Sequence, residues 1–396
     1  MQTFALLYAS WPRATLARFA LISYSSWRAF YFILKSSRFM PTRRHFLQQA
    51  AAGVALLPWL PSLAAAARTY TNPVYAGQFP DPFVLRHGGR YYAFGTTGQS
   101  RTADGRIFTV LASANLVDWK PVGGALQPPA GADGADFWAP EVVEHQGTFY
   151  MYYSKGGGAI AATVGHRLHV ATSRDPAGPY QEVAELPVPG SQFTIDAHPF
   201  RDADGQWYLF YARDFTDTDA ARGYRPGTGL VVDKLVGMTR LAGQERTVMR
   251  ARHDWTVFEK NRLMPLYGNQ TFPEWHTLEG PFVRRHEGKY YCFYSGANFL
   301  TDRYGVDVCV ADSVLGPYSD AGAENGARVL HSVPGKVRGP GHHSHILGPD
   351  GKTEYLVYHA WNAAMTERQL CIDKLLWTPA GPRCQGPSFT PQPLPS

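Results

Sequence analysis

Residues 82–95 read PFVLRHGGRYYAFG and residues 281–294 read PFVRRHEGKYYCFY. Each is an apolar run, a glycine turn and a second run that opens on paired aromatics. The same plan recurs in PEVVEHQGTFYMYY at 140–153, HPFRDADGQWYLFY at 198–211 and HSHILGPDGKTEYLVYH at 343–359. The turn glycines, Gly89, Gly147, Gly205, Gly288 and Gly351, lie 58, 58, 83 and 63 residues apart. A third strand follows each copy: LASANLVDW, VATSRDPAGPY, LVVDKLVG, VCVADSVLGPY and QLCIDKLLW. Five units of short alternating strands between Gly, Pro, Asn and Asp turns are all-β repeats. One such sheet cannot bury both faces alone, and five set radially around a channel can. The expected fold is a five-bladed β-propeller forming one domain over residues 68–396. A pair of β-sandwiches is the alternative, but it does not predict five near-equal repeats.

Composition agrees with many turns and few helices. Glycine and proline make up 69 of 396 residues, and charged residues only 18%. This excludes a coiled coil, a helical solenoid and a disordered chain, while a 44% hydrophobic share excludes a polytopic membrane protein. The long interval from Gly205 to Gly288 holds an insertion around Asp214 to Gln270, expected to form a loop over one face of the ring.

The net charge of +6 would suggest nucleic acid or an anionic membrane. Its location says otherwise. Seven basic and no acidic residues precede Arg68, so the remainder carries 31 basic and 32 acidic residues. Residues 40–67, MPTRRHFLQQAAAGVALLPWLPSLAAAA, combine twin arginines, an uncharged run of 22 residues from Phe46 and an Ala-x-Ala ending. This resembles a bacterial twin-arginine signal peptide. Pro58 and Pro61 argue against a transmembrane helix, since each removes a backbone donor. The signal would direct the protein through the twin-arginine export machinery to the periplasm or medium, with cleavage near Ala66 or Ala67. Residues 1–39 stand upstream of a complete signal, which makes Met40 the expected start.

In a propeller the innermost strand of every blade starts at the same face. Counting back eight or nine residues from each turn glycine gives Asp81, Trp138, Asp196, Glu279 and His342. Three carboxylates thus converge on one axis. A single acid of this kind is more often a turn cap, a central histidine can serve backbone, and a central Trp can serve packing. Three acids at matched positions point to chemistry. Glycoside hydrolysis needs a protonated carboxyl for the leaving oxygen and an ionised one for water or the sugar. Asp81 lies between Pro80 and Pro82, which stiffen its backbone. Glu279, flanked by Trp275, His276 and Phe282, has surroundings that raise a carboxyl pKa by desolvation.

NPVYAGQFPDPFVL from Asn72, DFWAPEVV from Asp136, TIDAHPF from Thr194, LEGPFV from Leu278 and GPGHHS from Gly339 resemble the signatures of family 43 glycoside hydrolases. These are five-bladed propellers that attack arabinan, arabinoxylan and xylo-oligosaccharides by inversion. The resemblance spans roughly Tyr70 to Trp377. It implies Asp81 as general base, Glu279 as general acid and Asp196 as the residue that tunes and orients the acid. It places Trp138 in the pocket wall; Glu141, Phe299 and Arg338 are candidate substrate-binding residues beside it. Tyr304 and Arg303 are further candidates for shaping subsites. No cofactor is needed for such chemistry, although His342 matches a histidine that in many members faces a central cation, often calcium, mostly coordinated by water. His343-Ser344-His345 departs from the usual motif there and leaves that metal open. The LEGPFV form, and no further β-sandwich module after the fifth repeat, favour an α-L-arabinofuranosidase or an arabinan endo-1,5-α-L-arabinosidase over a β-xylosidase. A secreted glycan-binding propeller without turnover is the alternative of another class. The expected partners are a polysaccharide or oligosaccharide and no nucleic acid, with no membrane attachment after signal cleavage; the expected state is a monomer. Four cysteines allow three pairings, and an oxidising destination opens Cys292–Cys309 and Cys371–Cys384 as bonds, with buried free thiols as the alternative.

Overall fold

A computed structural model describes residues 68–157 and 164–396; the signal-peptide and start-site readings fall outside these residues. Five antiparallel sheets follow one another along the chain. Blade I comprises Phe83–His87, Arg90–Gly95, Ile107–Ser113 and Lys120–Leu126, and blade II comprises Asp136–His145, Thr148–Gly156, His166–Ser173 and Gln181–Leu186. Blade III is built on Thr194–Arg201, Trp207–Phe215 and Gly227–Val236. Blade IV has Leu278–His286, Lys289–Gly296 and Gly305–Ala311, and blade V has Arg338–Leu347, Glu354–Trp361, Arg368–Thr378 and Gly381–Cys384.

The apolar side chains that repeat in the sequence pack between blades. Phe83, Phe94 and Ile107 of blade I meet Phe137, Val142 and Met151 of blade II. Tyr152 and Leu168 then meet Leu209 and Val231 of blade III. Phe210 and Leu230 meet Val283 and Cys292 of blade IV. Phe293 and Val306 meet Leu356 and Tyr358 of blade V. Tyr355, Val357 and Leu370 return to Val84, Tyr91 and Leu111 of blade I. Five shared cores, each between neighbours, close the ring into a five-bladed β-propeller. Short pairing of Thr69–Tyr70 with Gln392–Pro393 brings the two ends of the described chain together. Asn72 Nδ2, bonded to the Ile372 carbonyl at 2.9 Å, ties the entry segment to blade V.

The turn glycines of the repeat all adopt positive φ, from 68° at Gly351 to 87° at Gly205. That backbone region penalises any side chain, which is why glycine recurs at this one place in every copy. The insertion in blade III is not an irregular loop. It contains a hairpin, Val257–Met264 with Gln270–His276, attached to the blade by a parallel bridge between Gly227 and His276. Met264, Phe272 and Trp275 give the hairpin an apolar cluster of its own.

Of the two alternatives for the cysteines, the structure has the free thiols: all four are unbonded. Cys292 and Cys309 lie opposite each other across neighbouring strands, with the Cys309 thiol directed to the Cys292 carbonyl at 3.5 Å. Cys371 faces Tyr358 in the ladder, whereas Cys384 faces Leu375.

Candidate active site

Each innermost strand has a positive-φ kink at the same depth, within it or just before it. Asp81, Ala139, Asp196, Gly280 and His342 have φ of 53°, 45°, 59°, 55° and 43°. Register shifts accompany them at Trp138/Glu141, Ile195/His198, Glu279/Phe282 and Gly341/Ser344. Such bulges re-aim side chains at a barrel or channel mouth. Here they turn the ring residues into the channel.

The kinked N–H groups are held by side chains from the second strand of the preceding blade. His359 Nδ1 accepts from Asp81 N–H at 3.1 Å, Thr96 Oγ1 from Ala139 at 2.8 Å, Ser154 Oγ from Asp196 at 3.0 Å and Ser295 Oγ from His342 at 2.8 Å. Blade III breaks the series because Ala212 stands at the matching register position and has no acceptor. The Gly280 N–H donates instead to Asp196 Oδ2 at 2.9 Å.

Asp81, Trp138, Asp196, Glu279, Phe299 and His342 line one cavity of about 490 Å³, together with Thr96, Asp214 and Arg368. The hairpin contributes Phe258, Arg262, Leu263, Met264 and Trp275 to its wall. Trp138 is backed by the His166 ring, stacked at 3.6 Å. Two of the candidates lie elsewhere. Glu141 points to His198, whose Nδ1 is 2.7 Å from its carboxylate, and Arg338 pairs with Asp302 at 2.7 Å on a half-exposed side chain. Arg303 is exposed outside the cavity, and Tyr304 is buried behind it, donating its hydroxyl to Glu279 Oε1 at 2.6 Å.

The carboxyls have opposite electrostatics. Burial alone would raise Asp81, but the Arg368 guanidinium, 2.9 Å from Oδ1, with His342 and the Thr96 hydroxyl, holds it well below the usual carboxylate range. His359 is kept neutral by burial, and its Nδ1 accepts the Asp81 N–H; the proton therefore sits on Nε2, and its 3.4 Å approach to Asp81 is no ion pair. Glu279 is pushed up to about 7, chiefly by burial and also by the Asp81 charge, against the opposing Tyr304 hydrogen bond. Burial, followed by the Glu279 and Asp81 charges, raises Asp196 as well. Asp196 and Glu279 thus retain a proton at pH values where free carboxyls have lost theirs.

The match to known proteins covers the whole ring. Residues 70–382 match the glycosyl hydrolases family 43. The chain belongs to family 43. One solved relative, described as a thermostable family-43 glycoside hydrolase, is 31% identical and superposes with a TM-score of 0.67 over 83% of this chain and 99% of its own. The β-D-galactofuranosidase xynD of Aspergillus niger is 25% identical over 78% of this chain and 83% of that protein. An extracellular exo-α-(1→5)-L-arabinofuranosidase of Streptomyces chartreusis is 26% identical over 81% and 92% respectively. This family 43 propeller is accordingly a glycoside hydrolase.

The protein groups around His342 give no sign of a calcium ion of the mostly water-coordinated kind that the resemblance implies. His342 has Asp81 at 3.5 Å and Asp196 at 4.0 Å, carboxyls that also engage Arg368 and the Gly280 N–H, and His343 and His345 adjoin it in the chain. Among the described residues no group of three or more His, Cys, Asp or Glu is arranged to hold a metal. Sequence reading missed Arg368 and His359 as partners of Asp81. They come from the third and second strands of blade V, with no signal beyond a polar residue after an aromatic pair.

Proposed function

We propose that this family 43 enzyme is an inverting α-L-arabinofuranosidase. Asp81 acts as the general base on water, Glu279 as the general acid on the leaving oxygen, and Asp196 as the group that keeps Glu279 protonated and oriented. The observation that carries this reading is the divergence of two carboxyls in one cavity: Asp81 held ionised by Arg368, and Glu279 raised to about 7. Carboxyls pushed apart in this way divide into base and acid. Both curated relatives described above are named for furanose release, which supports a furanosyl donor. Arabinose in plant cell-wall polymers or their oligosaccharides is the proposed substrate. The twin-arginine segment supports a periplasmic or extracellular place of action, and the near-balanced charge from Arg68 onward suits an uncharged polysaccharide.

Arabinan, arabinoxylan and xylan digested in parallel, with products resolved by chromatography and by early proton NMR, test the proposal. The expected product is arabinose appearing first as the β anomer. Xylose as the sole product, or arabinose of retained configuration, overturns it.

A further inference from the structure

Hydrolysis leaves one carboxyl of the cavity unused. Asp214 lines it at 7% exposure, yet it does not enter from an innermost strand as Asp81, Asp196 and Glu279 do. It sits near the end of Trp207–Phe215, the second strand of blade III, paired with Thr228. Adjacent strands lie about 4.8 Å apart, so Asp214 stands one strand farther from the axis, on the side of the inserted hairpin.

Its two oxygens differ. Oδ2 accepts the Tyr267 hydroxyl at 2.8 Å. Oδ1 is buried and has no hydrogen-bond partner among the described residues. An unpaired buried oxygen of this sort costs about 1–3 kcal/mol, and at a cavity wall it is an acceptor waiting for a donor from outside the chain. Arg262 of the hairpin lines the same cavity, its guanidinium over the Phe258 ring at 4.5 Å and the Trp275 ring at 5.9 Å. Carboxylate, guanidinium and ring faces together present what a sugar needs: an acceptor for hydroxyls, a donor for ring and hydroxyl oxygens, and apolar surface for its C–H faces. Among the described residues this wall comes from the repeat with the 83-residue interval.

We propose that Asp214 and Arg262 form a second sugar subsite, in which Asp214 Oδ1 accepts a hydroxyl of the sugar joined to the one held between Asp81 and Glu279. This rests on the reading of the cavity as a pentoside site. The subsite discriminates against neighbours whose hydroxyl is missing or esterified, because the carboxylate oxygen then stays unpaired.

Wild type, Asp214→Asn, Asp214→Ala and Arg262→Met, each checked by thermal melting, are compared on aryl α-L-arabinofuranoside and on α-1,5-arabinotriose. The aryl glycoside has no second sugar. The expected result is at least a tenfold fall in the ratio of kcat/KM on the triose to kcat/KM on the aryl glycoside for both Asp214 variants, carried by KM. Asp214→Asn retains an oxygen for Tyr267 and separates hydroxyl recognition from hairpin docking. Equal losses on both substrates, or an unchanged ratio, overturn the subsite. If wild type cleaves neither arabinoside, the arabinose reading fails, and the same ratio is read on the aryl and oligomeric forms of the pentoside it does cleave.

Discussion

The Gly280 N–H is free to donate to Asp196 Oδ2 because Ala212 does not claim it. Thr96, Ser154, Ser295 and His359 hold the corresponding N–H groups elsewhere in the ring. Blade III alone has a side chain without an acceptor there. The acid-bearing strand of blade IV is thereby fastened to the Asp196 carboxyl, which the Glu279 charge helps to raise. Ala212→Ser restores the acceptor and competes for the Gly280 N–H. A neutral hydrogen bond is worth about 1 kcal/mol and one to a charged group about 1.5–3. The expected outcome is a roughly tenfold lower kcat on an aryl arabinofuranoside with a melting temperature within a few degrees of wild type. Unchanged kcat would show that this bond does not position Asp196.

The pH profile follows from the two carboxyls. Asp81 is held far below the ordinary range by Arg368, and Glu279 must be protonated to act as acid, with its pKa raised to about 7. The rate kcat/KM is expected to be flat from about pH 4 to near 7 and to fall about tenfold per unit above that. Glu279→Gln and Asp81→Asn are each expected to cut kcat by about 10² or more. Stopped and continuous assays across pH 4–9 check both points.

Glu279 also makes stability depend on pH. Its carboxyl, ordinarily at 4.5, is raised to about 7 in the folded protein. The folded state therefore binds more protons than the unfolded chain between those values, and stability falls as pH rises through that window. Glu279→Gln removes the buried charge. Relative to wild type it is expected to gain stability at pH 8 by up to about 3 kcal/mol, and to lose that advantage toward pH 4. Denaturant unfolding at the two pH values measures the difference.

Much of the fold is legible in the sequence because the features that build a blade are local. A glycine at positive φ and an aromatic pair on the next strand recur in every copy, and each marks a hairpin. Asp81, Asp196, Glu279 and His342 are legible for the same reason: they fall at fixed offsets from those glycines. Arg368 is not, since it meets Asp81 only when blades V and I close on the axis, and Tyr304 is legible as a subsite candidate but not as the partner of Glu279. Glu141 shows the limit of motif reading. It lies three residues beyond Trp138 on one strand, but the bulge between them leaves its carboxylate on His198. The hairpin at 257–276 is legible as extra length and not as a cavity wall, because the Gly227–His276 bridge that aims it is non-local.

Arg368 is the group whose loss should most alter the base. Its guanidinium lies 2.9 Å from Asp81 Oδ1 and 5.0 Å from the centre of the Phe299 ring. Burial by itself raises Asp81, and the arginine is the first of the groups that reverse this. Arg368→Met leaves the burial penalty with less to oppose it, so the Asp81 pKa must rise. Arg368→Lys keeps the charge but not the planar fork or the ring stacking. The expected outcome is an acid limb of kcat/KM that moves upward into the accessible range for Arg368→Met and only part of the way for Arg368→Lys, with activity at the optimum reduced in both. An acid limb that stays below about pH 4 in Arg368→Met would show that His342 and the Thr96 hydroxyl suffice to keep Asp81 ionised.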